Sequence, residues 1–130
     1  MKKKLATLSA LAGALVVFSH PLLAHHGTSS YDFSKTVTLN GTITGFDWAN
    51  PHCLIHIDVK NDDGNVQHWT LELPSTFTMA RRGWTKDSLR LRDQAVVETH
   101  PAKNGTAVGI SWMPGSLMKV VANGKAMPTQ

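Results

Sequence analysis

An all-β barrel of five or six short strands, with one short helix between the third and fourth, is the architecture that this sequence predicts. Three observations carry the prediction. Apolar residues alternate with a period of two over residues 35–48, 52–60, 66–73, 95–100 and 106–112, the pattern of strands with one buried face. The alternation changes phase inside the first of these runs. A helix-type segment opens at Ser75, between the third and fourth runs. A bent first strand and a helix after strand three match the small OB-like barrel. A small β-sandwich is the second arrangement compatible with the pattern.

The chain begins with Lys2, Lys3 and Lys4, followed by an apolar run over residues 5–18 and a small residue at Ala24. A basic start, a short apolar stretch and a small residue at the cleavage point read as a secretory signal peptide over residues 1–24. The apolar run is too short to span a bilayer, which takes about 20 residues. The expected location is therefore periplasmic or secreted after cleavage near Ala24, with no transmembrane segment in the mature protein. The formal net charge of the 130 residues is +4, and three of those charges are the leading lysines. The remainder is close to neutral, which argues against a nucleic-acid partner and against a polybasic membrane-surface protein. The expected organisation is an N-terminal arm over 25–34, a single barrel domain over 35–122 and a polar tail over 123–130.

In the first strand segment Val37, Leu39 and Ile43 share one parity, whereas Phe46 and Trp48 share the other. An inserted residue explains the switch, and Gly45 is the natural place for a β-bulge. In the second segment Cys53, Ile55, Ile57 and Val59 face one way, and His52, Leu54, His56 and Asp58 the other. Asn61-Asp62-Asp63-Gly64-Asn65 then forms a hairpin turn. The third segment puts Trp69, Leu71 and Leu73 on one face and His68, Thr70 and Glu72 on the other. A register that pairs Ile57 with Trp69 also pairs Ile55 with Leu71 and Cys53 with Leu73, and it sets Asp58 opposite His68. A slip of one residue would break both faces. Cys53 is the only cysteine, so no internal disulfide forms, and this register makes it a small core residue.

Ser75 is placed to cap a helix, and Gly83 to stop it. Helical spacing predicts that Phe77, Ala80 and Trp84 face inward. Arg81 and Arg82 fall in the last turn, where cations complement the helix dipole. Strand-like runs return at 95–100 and 106–112, joined by Pro101-Ala102-Lys103-Asn104-Gly105 with Asn-Gly at the tip. A short run over 117–121 and a polar tail close the chain.

His25-His26, Tyr31-Asp32, Gly41, Trp48-Ala49-Asn50-Pro51-His52, Trp69, Glu72, Arg82-Gly83-Trp84 and Pro101-Ala102-Lys103-Asn104-Gly105 together resemble a family of small secreted proteobacterial proteins, classed as domain-of-unknown-function family 6152. The Trp-x-Asn-Pro-His and Gly-Trp elements are the most specific parts. Leu91-Arg92-Asp93 departs from the Pro-Gly-Asp turn often found before the fourth strand. The resemblance implies export and a barrel-like domain, and it brings no activity, so chemistry has to be read from the residues.

Catalytic patterns are missing: no Gly-x-Ser-x-Gly elbow, no phosphate-cradling glycine loop and no His-Glu-x-x-His. The chain reads as a binding module, not an enzyme. Histidine is the unusual component. Of seven histidines, all but His20 follow the signal segment: His25, His26, His52, His56, His68 and His100. Imidazole suits copper, zinc and nickel. His52 and His56 share a strand face but are four residues apart, about 13 Å, too far to bind one ion together. Asp58 is placed to orient His68. Cleavage after Ala24 makes His25 the N-terminal residue, whose α-amine (pKa about 7.7–8.0) and ring can chelate one ion. Cleavage one residue earlier exposes Ala24-His25-His26, which also chelates. An imidazole from the barrel, His52 or His100, would complete a nitrogen-rich planar set suited to Cu(II). The expected metal ligands are His25, His26, His52 and His100, with copper the first choice of cofactor. Pro51 forces Asn50 out of the helical region, so the Trp-x-Asn-Pro-His bend is able to hold His52 at the barrel mouth. The alternative is a metal-free module that binds a protein or small molecule through the strand face or the tryptophan-lined mouth.

Overall fold

The computed structural model describes residues 27–130. Residues 1–24, read above as a signal peptide, and His25 and His26 therefore lie outside the described residues. After a short 3-10 turn at Thr28–Ser30 come β1 (Val37–Asp47), β2 (Leu54–Lys60), β3 (Val66–Glu72), helix α1 (Thr76–Arg81), β4 (Gln94–Pro101) and β5 (Val108–Ile110). Four short strands follow: β6 (Trp112–Met113), β7 (Ser116–Leu117), β8 (Val120–Ala122) and β9 (Lys125–Ala126). β1 pairs with both β2 and β4, β2 with β3, β3 with β5 in parallel, and β5 with β4. The circuit of five strands is closed, with the helix between β3 and β4, as the sequence predicts. β8 and β9 continue the sheet from β4, and β6 with β7 forms a separate small hairpin.

Closure depends on β1. From Val37 to Thr42 it pairs with β4, and from Thr42 to Asp47 it pairs with β2. Gly41 sits at the handover, where a Cβ would collide with the main-chain carbonyl of Asp58. The register shifts between Ile43 and Gly45, so the bulge lies where the phase switch put it. The bulged stretch does not waste its backbone groups. Ile43 donates its N–H to Asp93 O (2.8 Å) and accepts from Arg92 N (2.8 Å), which satisfies a buried position. Arg92 adopts φ 73° to do so, in the Leu91-Arg92-Asp93 turn.

The β2–β3 hairpin has the predicted register. Ile57 lies opposite Trp69, Ile55 opposite Leu71 and Asp58 opposite His68, and Leu73 N bonds to Cys53 O at 2.9 Å. The turn closes through Gly64 N to Asn61 O (2.9 Å), with Gly64 at φ +85° where a side chain would strain. Ile43, Ile55, Ile57, Leu71, Leu73, Met79, Val97 and Val120 form the centre of the core, and Cys53 is among them at 0% exposure. Each fully buried aliphatic chain of this size contributes about 1.5–3 kcal/mol. Burial pushes the Cys53 thiol above its ordinary pKa.

The helix corrects one expectation. Ser75 does cap it, accepting from Thr78 N, and Gly83 ends it at φ +85°. But Met79 is the buried residue of the helix, while Ala80 is exposed and Phe77 is 69% exposed. With only six residues, α1 is too short to present a stripe, and a single position meets the barrel. Trp84 is buried as expected, though by a different route. The turn at Gly83 folds it back, with Trp84 N on Met79 O (3.1 Å) and its indole Nε1 donating to Pro128 O (2.8 Å).

The two flanks are also tied in. Tyr31 is buried and bridges to Ala102, so the arm docks along the end of β4. The run over 106–112 divides into β5 and β6. Within the segment read as a polar tail, β9 pairs with β8 and Met127 packs on the core. Among the described residues no helix is long and apolar enough to cross a membrane.

Two outcomes follow from this packing. Gly41→Ala should lower the unfolding free energy by about 1–3 kcal/mol, the usual range for overpacking, as read from the urea midpoint. A wild-type midpoint in the variant would show that the β1 handover tolerates a side chain. Native Cys53 should resist a thiol reagent and react in full once the protein is unfolded. Fast labelling of folded protein would contradict its place in the core.

Candidate functional site

The Trp48-Ala49-Asn50-Pro51-His52 segment carries the chain from β1 to β2. It is pinned at three points. Asn50 Oδ1 accepts from the N–H of Thr76 (3.2 Å) and from its hydroxyl (2.9 Å). Cys53 N donates to Pro74 O (3.0 Å), and Leu73 N to Cys53 O. The Asn50–Pro51 peptide bond is cis. The hydrogen bonds of Asn50 lash the bend to the start of α1 and those of Cys53 tie it to the exit of β3, which fixes where His52 leaves the main chain.

His52 is half-buried. With the proton on Nδ1, its ring donates to Leu73 O at 3.3 Å, and the same atom lies 3.4 Å from Glu72 Oε1. Its ring stacks against Trp112, with centroids 6.0 Å apart and an interplanar angle of 29°. Glu72 is the last residue of β3, opposite Leu54. Its other oxygen, Oε2, accepts from the Tyr31 hydroxyl at 3.5 Å. Burial first, then the Glu72 charge and this hydrogen bond, raise the Tyr31 pKa above the ordinary phenol value. Tyr31 therefore stays a donor at neutral pH. A line of contacts runs from the arm through Glu72 to His52.

This line borders a groove of about 690 Å3. Phe46, Trp48 and Leu54 form its apolar part, and Asp47, His52 and Glu72 its ionisable part. Phe46 stacks edge-on against Trp48 at 6.0 Å and tilts against Trp84 at 6.0 Å, which holds the apolar wall on the core. Two carboxylates and no lysine or arginine line the groove, so its potential favours a cation.

The other histidines lie elsewhere. His56 bonds through Nε2 to Asp47 Oδ2 (2.8 Å) and through Nδ1 to Thr70 Oγ1 (3.3 Å). Its ring covers Gly45, where a Cβ would come within 2.9 Å of it. His68 is exposed and pairs with Asp58, as the hairpin register implies. His100 is 6% exposed, with Nδ1 2.6 Å from Lys35 O and the Phe33 ring 5.1 Å away. It does not line the groove that His52 lines. Among the described residues no group of three or more His, Cys, Asp or Glu side chains is placed to hold a metal ion.

Glu72, which lines the groove, and Tyr31, which bonds to it from the arm, are the site residues that the sequence reading passed over. The signal for Glu72 was present. A register that pairs Cys53 with Leu73 puts Glu72 opposite Leu54, one strand across from His52. Tyr31 carried no such signal, because an arm without periodicity does not announce where it docks.

No curated protein and no solved structure matches the chain. The model of a family of unknown function, DUF6152, matches residues 13–111, a span that includes every residue of the groove. The chain belongs to that family.

Proposed function

We propose that this protein is an exported binding module, not an enzyme, and that its ligand is a transition-metal ion, copper first, held between N-terminal His25 and His52 at the groove. The observation that carries this reading is the run of contacts from Tyr31 to Glu72 to His52. The arm docks beside the histidine that the bend presents. His25 precedes Tyr31 by six residues, and six residues of extended chain reach at most about 20 Å. The amine and ring of His25 are therefore within tether distance of the groove. The two groove carboxylates add a cation-favouring field, and Glu72 is placed to orient the His52 ring, as carboxylates behind metal-bound histidines do. His26 is a helper in this scheme. His100 drops out of it, since it is buried and engaged by a main-chain carbonyl. The described residues do not complete a metal site by themselves, so the reading stands or falls with His25.

A metal-free reading rests on a different observation. Phe46, Trp48 and Leu54 give the groove an apolar wall, and its volume lies in the range of small-molecule sites, about 300–1,000 Å3. A small organic ligand is then the occupant.

Periplasm-processed protein should begin at residue 25 by intact mass and bind one Cu(II), with quenching of tryptophan fluorescence. One extra N-terminal residue ahead of His25 should abolish tight binding. His52→Ala should weaken it by about 10–100-fold. Equal, weak binding by all three proteins would remove the metal reading and leave the organic ligand.

A further inference from the structure

The strand register sets a row of three side chains across the groove. Asp47 of β1 lies opposite Leu54 of β2, and Leu54 opposite Glu72 of β3. Residues directly opposite one another share a face of the sheet. Leu54 is half-buried on the outer face, while its neighbours Cys53 and Ile55 are in the core. The row therefore reads carboxylate, leucine, carboxylate, and all three residues line the groove. Adjacent strands are about 4.8 Å apart, so the main chain at Asp47 and at Glu72 is separated by about 10 Å. The two acids stand on either side of an apolar floor, and Phe46 and Trp48 add an aromatic wall.

Neither acid is offset by a fixed positive charge. Among the described residues the Asp47 carboxylate meets only the His56 ring, and the Glu72 carboxylate meets the His52 ring and the Tyr31 hydroxyl. Lysine and arginine form one carboxylate pair among those residues, Lys35 with Asp32, and neither lines the groove. A carboxylate has about four lone-pair sites, so each acid keeps acceptor capacity for a ligand. A cation or a hydroxyl across the strand would offset an acid on a solvated face, but the residue between these two is leucine. One metal ion does not answer the row, because its oxygen ligands lie within about 2.6 Å of it. Two positive charges held apart by an apolar body do.

We propose that the groove takes a linear aliphatic diamine, with one ammonium group at Asp47, the other at Glu72 and the methylene chain across Leu54. The aromatic wall suits the same ligand, since the faces of tryptophan and phenylalanine attract ammonium groups. Asp47 and Glu72 are each held in a strand ladder, so the charges are placed before the ligand arrives. The inference rests on the metal-free reading of the groove and uses neither His25 nor copper.

The test is a titration of the full mature chain with cadaverine, at constant ionic strength and with a chelator present, read from the Leu54 methyl and Trp48 indole NMR signals. Pentylamine, with one charge, and the diol of the same length, with none, are the controls. Cadaverine should shift both signals saturably, and the diol should not. Pentylamine should bind about three- to tenfold more weakly than cadaverine, as loss of one charged contact in a half-exposed site implies. Asp47→Asn should bring cadaverine down to the affinity of pentylamine, and Glu72→Gln should do the same. Asp47 is exposed, so its variant keeps the fold, which the Trp69 and Trp84 indole signals report. One extra residue ahead of His25 should leave cadaverine binding unchanged. Equal affinity for cadaverine and pentylamine, or unchanged affinity in Asp47→Asn, overturns the proposal. Binding of the diol as tight as that of cadaverine overturns the diamine while the metal-free reading stands. No saturable shift with any of the three compounds, in a protein that binds one Cu(II) tightly, removes both.

Discussion

A five-stranded barrel closes only if one strand serves two neighbours, and here that strand is β1. Its first half belongs to β4 and its second half to β2. The handover is possible because Gly41 lets the Asp58 carbonyl approach without obstruction and because the bulge ahead of Gly45 turns the chain. The rest of the molecule follows from this. β3 and β5 can pair in parallel because the far side of the barrel has been brought round, and the loop before β4 fills the gap at Ile43 with two main-chain hydrogen bonds. The sheet then encloses a core of aliphatic chains with no exposed edge on the barrel itself.

The site inherits its rigidity from that closure. β1 runs directly into the Trp-x-Asn-Pro-His bend, which is clamped to α1 by Asn50 and to the β3 exit by Cys53 and Leu73. His52 is therefore presented by backbone held at both ends, and is not carried on a free loop. A residue fixed this way can form one boundary of two differently charged spaces. On the groove, Asp47 and Glu72 set a negative field. A second cavity, which Pro51 and His52 also line, has Arg82 among its walls and no acidic side chain. Side-chain binding sites gain specificity when their polar groups are placed before the ligand arrives, and here the clamps do the placing.

Much of the barrel was legible in the amino-acid order. The phase switch between Ile43 and Phe46 announced the bulge, and the facing alternation of residues 52–60 and 66–73 announced the hairpin register down to the Asp58–His68 pair. Those features are local: they arise from the two-residue period of a strand and from turn residues a few positions apart. The orientation of α1 was not legible. A periodicity rule drawn through Phe77, Ala80 and Trp84 assumes a helix that continues, yet the helix ends at Arg81, short of two turns, and Trp84 is buried by the turn at Gly83.

By itself the sequence determined the succession of three strands, a helix and further strands along the chain, the pairing of β2 with β3, the core place of Cys53 and the bend that presents a histidine. Only the tertiary structure decided which chemistry gathers around that histidine. Glu72 reaches His52 across a strand pair, Tyr31 reaches Glu72 from 41 positions away in sequence, and Trp112 stacks on the ring from a hairpin near the end of the chain. His100, by contrast, is as conspicuous in the sequence as His52 and is spent on the Lys35 carbonyl inside the fold. The physical reason is the same in each case. Alternation says which face of a strand a side chain takes, but barrel closure says which faces meet.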